Sequence, residues 1–274
     1  MTQASQTSEV TLTPAEGDGD LLAGLVLNAI GVRFGGLVAL DDVSLRVSPD
    51  RVVGVIGPNG AGKTTLFNVV CGFVRPVSGW MTLDGRPLRP KPQQLNRLGI
   101  ARTLQGIGLF SGLTVLENVM CGMTSRARAG FVTGLLGLWP SDRDERRLRA
   151  EAGDILAELG IGEHAHALPD GLPYAVRKRV ALARALAARP RLLLLDEPAG
   201  GLSAEDIYDL AALIRSLPRR EGGACSVLLV EHHMDLVMQV CDEIVVLDFG
   251  RCIAAGTPKQ VQDNPAVTEA YLGA

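Results

Sequence analysis

The sequence predicts an α/β fold, a mostly parallel sheet arranged around a phosphate-binding loop. Three observations carry this. The segment Gly57-Pro-Asn-Gly-Ala-Gly-Lys63-Thr-Thr65 fits the pattern G-x-x-x-x-G-K-[ST]. A β-branched run, Val52-Val-Gly-Val-Ile56, precedes it, and a helix-compatible stretch, Thr65-Leu-Phe-Asn-Val-Val70, follows. Three later apolar runs, Leu192-Leu-Leu-Leu195, Val227-Leu-Leu-Val230 and Ile244-Val-Val-Leu247, show no polar alternation. Runs of that kind suit strands buried on both faces, as in a parallel sheet covered by helices.

Taken in order, residues 1–20 are rich in Thr, Ser, Glu, Asp and Gly and hold no Lys or Arg. They read as a disordered tail, not as a secretory signal. The apolar stretch 21–31 is too short to span a bilayer. Residues 25–34 and 40–47 have strand-like composition and flank the turn Gly35-Gly36. Trp80-Met-Thr-Leu-Asp-Gly85 reads as a strand running into a turn. Between about residues 110 and 190 the pattern becomes helical and charged. There, Ser141-Asp-Arg-Asp-Glu-Arg-Arg-Leu-Arg149 reads as a solvated helical face. Gly130-Phe-Val-Thr-Gly-Leu-Leu-Gly-Leu-Trp139 is an apolar island with three glycines. Two readings stand for it: local packing within a helical lobe, or an exposed patch that docks a membrane subunit.

The chain has 274 residues, 47% of them hydrophobic, enough for one large domain or a domain with an inserted lobe. Its net charge of −3 gives no support to nucleic acid as a partner. The five cysteines form no C-x-x-C pair. They suit a reducing compartment and argue against a disulfide framework or a zinc site.

The glycine loop carries the first chemistry. Gly57, Pro58, Asn59, Gly60, Ala61, Gly62, Lys63, Thr64 and Thr65 would cradle a polyphosphate. Glycines let backbone N–H groups close on phosphate oxygens, and the helix N-terminus favours negative charge. Lys63 is expected to reach the β- and γ-phosphates and the Thr64 hydroxyl to hold Mg²⁺. Leu192-Leu-Leu-Leu-Asp196-Glu197-Pro198 supplies a second part. An apolar strand ending in acid puts Asp196 at the sheet edge where ligands collect. Asp196 would hold Mg²⁺, directly or through water, and Glu197 would polarise an attacking water.

With these residues in place, residues 25–272 resemble the ATP-binding cassette (ABC) ATPases. The resemblance implies a cassette fold: a P-loop core, an antiparallel β subdomain and an inserted helical subdomain near residues 110–190 of a domain spanning 21–274. It also implies ATP and Mg²⁺ as ligands. Ala101-Arg-Thr-Leu-Gln105 is similar to the family's glutamine loop, which places Gln105 near Mg²⁺ and the attacking water. Leu229-Val-Glu-His232 is similar to the switch histidine, which places His232 at the γ-phosphate. Phe34 is similar to the aromatic that stacks on adenine, and Ala199-Gly-Gly-Leu202 to the loop that crosses a dimer interface.

Further segments resemble the branched-chain amino acid uptake type: residues 33–40, 110–118 and 264–273, and Leu172-Pro-Tyr174. That implies an importer subunit at the cytoplasmic face of the plasma membrane. Its implied partners are a sister ATPase (or a second copy of this chain), two membrane permeases and, indirectly, an extracytoplasmic substrate-binding protein. The alternative function is a nucleotide-binding protein that scarcely turns ATP over.

That alternative comes from a departure. The family's signature segment, which caps the partner's γ-phosphate, aligns with Leu172-Pro-Tyr174-Ala175-Val176. Tyr174 fits the subfamily. Ala175 replaces glycine and Val176 replaces glutamine. The Ala175 methyl costs little at negative φ and ~1 kcal/mol or more at positive φ. Val176 donates no hydrogen bond and is stiff. The run Arg177-Lys-Arg179 is expected to compensate in part, or to be a solvated helix face. Ser203 and His233 stand where acids are common, which is expected to weaken coupling between sites.

Overall fold

The computed structural model describes residues 23–103, 106–124, 139–220 and 225–272. The expected tail, Gln105 and residues 130–138 of the apolar island lie outside these ranges.

The chain begins with an antiparallel hairpin, β1 (Leu25–Phe34) and β2 (Leu37–Val47). Phe34 pairs with Leu37, so Gly35 and Gly36 alone make the turn. A two-residue turn starts the return strand at once, which is why β2 begins three residues before the strand-like composition does. β3 (Val52–Ile56) leads through the glycine loop into α1 (Lys63–Val70). α1 begins two residues earlier than Thr65, because the Gly62 carbonyl accepts from the Leu66 N–H at 2.9 Å. β4 (Ser78–Leu83) and β5 (Arg86–Pro87) complete a four-stranded sheet in the order β2-β1-β4-β5.

The second sheet positions the site. β6 (Ile100–Arg102), β7 (Leu192–Asp196), β8 (Ser226–Val230), β9 (Glu243–Asp248) and β10 (Arg251–Gly256) join β3 in the order β10-β9-β3-β8-β7-β6. Every neighbouring pair is parallel except β9 with β10. The unbroken apolar runs have a simple cause. Leu193, Leu195, Val227, Leu229, Ile244 and Val246 enter one hydrophobic core. Their neighbours Leu192, Leu194, Leu228, Val230, Val245 and Leu247 enter the other. Successive side chains point to opposite faces, so a strand between two cores must be apolar at every position.

Among the described residues, three α-helices form in the stretch expected to be helical: α2 (Val115–Cys121), α3 (Trp139–Glu158) and α4 (Tyr174–Ala187), and each packs on the other two. α3 corrects one expectation. Its start is not a wholly solvated face: Asp144 is buried and paired with Arg147 at 2.6 Å, and Leu148 joins the core. After β7 come α5 (Ala204–Ser216), α6 (Met234–Val240), α7 (Pro258–Gln262) and α8 (Pro265–Leu272). No helix among the described residues is long and apolar enough to cross a membrane. All five cysteines are free, and burial pushes the Cys225 and Cys241 thiols up to about 11 and about 12. Such thiols are poor nucleophiles at neutral pH.

The loop ahead of α2 is held by one buried amide. Asn118 Nδ2 donates to the carbonyls of Phe110, Leu113 and Thr114, each at 3.0 Å, and Oδ1 accepts from Phe110 N–H at 2.8 Å. Thr114 and Glu117 close a capping box beside it. Asn118→Ala is expected to lower stability by about 3 kcal/mol, because it strands buried polar groups without partners. Urea denaturation reads this directly, and an unchanged midpoint contradicts it.

Candidate functional site

The phosphate loop is shaped by its glycines. Gly62 takes φ +102° as the cap of α1, and a Cβ there would lie 2.7 Å from the Ala39 carbonyl oxygen. Gly60 takes φ +84° with open space around it, which leaves the loop's concave side clear. Lys63 lies across the loop, and its ammonium donates to the carbonyls of Gly57 (2.6 Å) and Pro58 (2.9 Å). Burial lowers the Lys63 pKa, and the negative charge of Glu197 opposes that shift. The cation is thus prepaid with weak neutral partners that an anion can replace.

Asp196 ends β7 and is buried. Its Oδ2 accepts from the Arg102 guanidinium at 2.6 Å. Arg102 ends β6, donates also to Asn68 Oδ1 of α1 at 3.1 Å, and lies over the Phe67 ring. One side chain thus joins β6, β7 and α1. Arg102 drew no notice in the sequence; its one signal is a charge closing an apolar strand just before Gln105.

Glu197 follows Asp196 and takes φ +47°, a left-handed conformation that a non-glycine residue holds only under constraint. Three contacts impose it. The Glu197 N–H donates to the Val230 carbonyl at 2.9 Å, and its carbonyl accepts from Gly200 N–H and from Lys178 Nζ, both at 3.2 Å. Lys178 also donates to the Pro198 carbonyl at 2.7 Å, so a residue of the Arg177-Lys-Arg179 run is a brace for this turn, not a solvated charge. Arg179 pairs with Asp209 at 2.7 Å.

His232 stands at the end of the neighbouring strand with its ring 55% exposed. Its Nδ1 is 4.0 Å from Glu197 Oε1 and 3.7 Å from Glu231 Oε2. The His233 ring lies 4.6 Å away, tilted by 35°. Donor atoms of Glu231, His232 and His233 fall within 4.8 Å of one another, among the described residues. Backbone N–H groups of Ala199, His232 and His233 hold the Glu231 oxygens.

The remaining expected residues divide. Phe34 projects from the end of β1 and is 51% exposed. Thr64 is exposed in the first turn of α1, beside Thr65. Tyr174 and Ala175 begin α4, and Ala175 shares a cleft with Asp196 and Glu197. Ala175 is helical and is absent from the positive-φ residues, so its methyl meets no backbone strain. Val176 packs against the larger core, which gives its apolar character a use. Ser203 caps α5, its Oγ accepting from Asp206 N–H at 3.2 Å. The residue that looked like a missing acid therefore does a helix-capping task.

Known proteins resemble this chain in sequence and in fold. A family model described as ABC transporter matches residues 40–200, and one described as branched-chain amino acid ATP-binding cassette transporter matches residues 251–274. The chain is 41% identical to the high-affinity branched-chain amino acid transport ATP-binding protein BraF of Pseudomonas aeruginosa, covering 91% of this chain and 97% of BraF. It is 39% identical, over the same shares, to LivG of Escherichia coli K12, which carries the same description. It is 35% identical to the lipopolysaccharide export system ATP-binding protein LptB of Haemophilus influenzae, over 85% of this chain and 90% of LptB. Among solved structures, a nucleotide-free ATP-binding cassette from an ABC transporter superposes with a TM-score of 0.78 at 29% identity, covering 91% of this chain and 99% of that one. The ADP conformation of MJ1267, another such cassette, gives 0.77 at 29% identity, covering 91% and 98%. The chain belongs to the ABC transporter family and has the fold of its ATP-binding cassette.

Proposed function

We propose that this chain is the ATP-hydrolysing subunit of an importer for branched-chain amino acids or related small solutes. The observation that carries the reading is the gathering of Lys63, Asp196, Glu197 and His232 at the carboxyl edge of one parallel sheet. The phosphate loop binds the β- and γ-phosphates, with Lys63 exchanging its carbonyl partners for phosphate oxygens. Glu197 takes the proton of the attacking water, and His232 steadies the γ-phosphate. Phe34 stacks on the adenine. The hard oxygen donors Thr64 and Asp196 suit Mg²⁺ and, with Gln105, would hold it; the ion would neutralise phosphate charge. Similarity to BraF and LivG, and the branched-chain match at residues 251–274, support amino acids as cargo.

The chain works as one half of a closed dimer, with a sister ATPase or a second copy. ATP sits between the halves, and its hydrolysis resets them. The dimer drives two membrane permeases from the cytoplasmic face, and a substrate-binding protein outside delivers the cargo. The first turn of α4 offers backbone N–H groups to the γ-phosphate held by the other half. Ala175 fits that role without strain. Val176 keeps its backbone N–H but has no side-chain amide to add a hydrogen bond. In a heterodimer the sister's phosphate loop therefore faces the weaker cap, while this chain's own loop faces the sister's intact one.

ATP hydrolysis and ATP binding, followed in parallel for the wild type and Glu197→Gln, test the main reading. Turnover is expected to fall about 100-fold or more in the variant while binding survives. Binding with no turnover in either form, even with the sister subunit present, overturns it in favour of a binding-only protein. For the cap, Val176→Gln is expected to raise turnover of the homodimer several-fold. Ala175→Gly alone is expected to give no gain, since glycine relieves no strain there and costs the helix up to about 1 kcal/mol. A gain from Ala175→Gly alone contradicts the assignment of the weakness to Val176.

A further inference from the structure

Glu231 is a buried acid beside the site that the proposed chemistry leaves unused. It follows β8 and its exposure is 0%. A carboxylate in such a place is costly unless hydrogen-bonded. Here backbone N–H groups from two separate loops satisfy it. Oε1 accepts from Ala199 N–H at 2.7 Å. Oε2 accepts from His232 N–H at 2.8 Å and from His233 N–H at 3.1 Å. Ala199 lies two residues past Glu197, in the loop between β7 and α5. His232 and His233 lie in the loop between β8 and α6.

The two functional side chains stand at the ends of adjacent strands. His232 is 55% exposed and Glu197 34%, with 4.0 Å between Nδ1 and Oε1. Their separation depends on where the two backbones sit. Glu231 is the side chain that ties those backbones together, and Lys178 clamps the same turn from α4. We propose that Glu231 is a positioning residue: its buried carboxylate locks the interface loop to the switch loop and so sets the distance between Glu197 and His232. This rests on Glu197 and His232 forming the hydrolytic pair proposed above.

The chemistry of the tie dictates its probe. A carboxylate offers acceptors at both ends. Gln keeps the shape, but its NH₂ end is a donor and meets a backbone donor at one of the two loops. Asp keeps both acceptors on a side chain one methylene shorter, which reaches one loop only. Glu231→Gln is to be compared with the wild type in the intact chain by amide hydrogen exchange, nucleotide affinity and steady-state kinetics. Exchange at residue 199 or at residues 232–233 is expected to speed up roughly tenfold or more, while β7 and β8 stay protected. Turnover is expected to fall by a similar factor at unchanged ATP affinity and KM.

Unchanged exchange at both loops overturns the proposal, and this arm holds whether or not the chain hydrolyses ATP. Faster exchange with kcat unchanged in an active chain overturns it as well, and marks a purely structural tie. If Glu231→Gln does not fold, Glu231→Asp takes its place. That variant is expected to loosen one loop and lower kcat, and wild-type exchange and kcat in it overturn the proposal equally.

Discussion

Everything at the candidate site depends on strands that run in one direction. β3, β8 and β7 lie side by side and parallel, so their carboxyl ends open on the same edge. The glycine loop leaves β3, Glu231 and His232 leave β8, and Asp196 and Glu197 leave β7. That arrangement brings Lys63, Asp196, Glu197 and His232 from distant parts of the chain to one edge. The two cores pay for this by holding each strand on both faces, which leaves its polar ends as the only outlets for charge.

The helical part shares the larger core with the sheet, and polar contacts add to that link near the edge. Lys178 reaches from α4 to the carbonyls of Glu197 and Pro198. Its pKa is lowered by burial, against the pull of Glu231 and Glu197. Arg184, also on α4, donates to the carbonyls of Gly108 and Ile107. The side chains of α4 thus grip both the turn at Glu197 and the loop at residues 107–108.

The parts of the structure legible in the sequence are those that a run of residues specifies by itself. The glycine loop declares its own geometry, and β3, β7, β8 and β9 declare burial on two faces. β6 and β10 stayed hidden for physical reasons. Ile100-Ala-Arg102 is too short to show a period, and Cys252, Ala254 and Ala255 are too small to register as an apolar run. Arg102, Lys178 and Glu231 were illegible as functional groups because their partners lie 94, 19 and 32 residues away. One signal was available. Leu-Leu-Val-Glu231 repeats the form of Leu-Leu-Leu-Leu-Asp196, an apolar strand closing on an acid, and deserved the same question. For Ala175 the sequence posed a choice between two backbone angles, and only the start of α4 could settle it.

The ion pair between Arg102 and Asp196 changes what it means for a divalent cation to enter this edge. The carboxylate does not wait bare. It already has a monovalent counter-ion, held by Asn68 on one side and stacked on Phe67 beneath. Loading of the proposed Mg²⁺ would exchange one positive neighbour's share for another and would not quench an isolated charge. Because Arg102 is anchored in β6, three residues before Gln105, any relaxation of that pair is felt first by the segment that leads out to the helices.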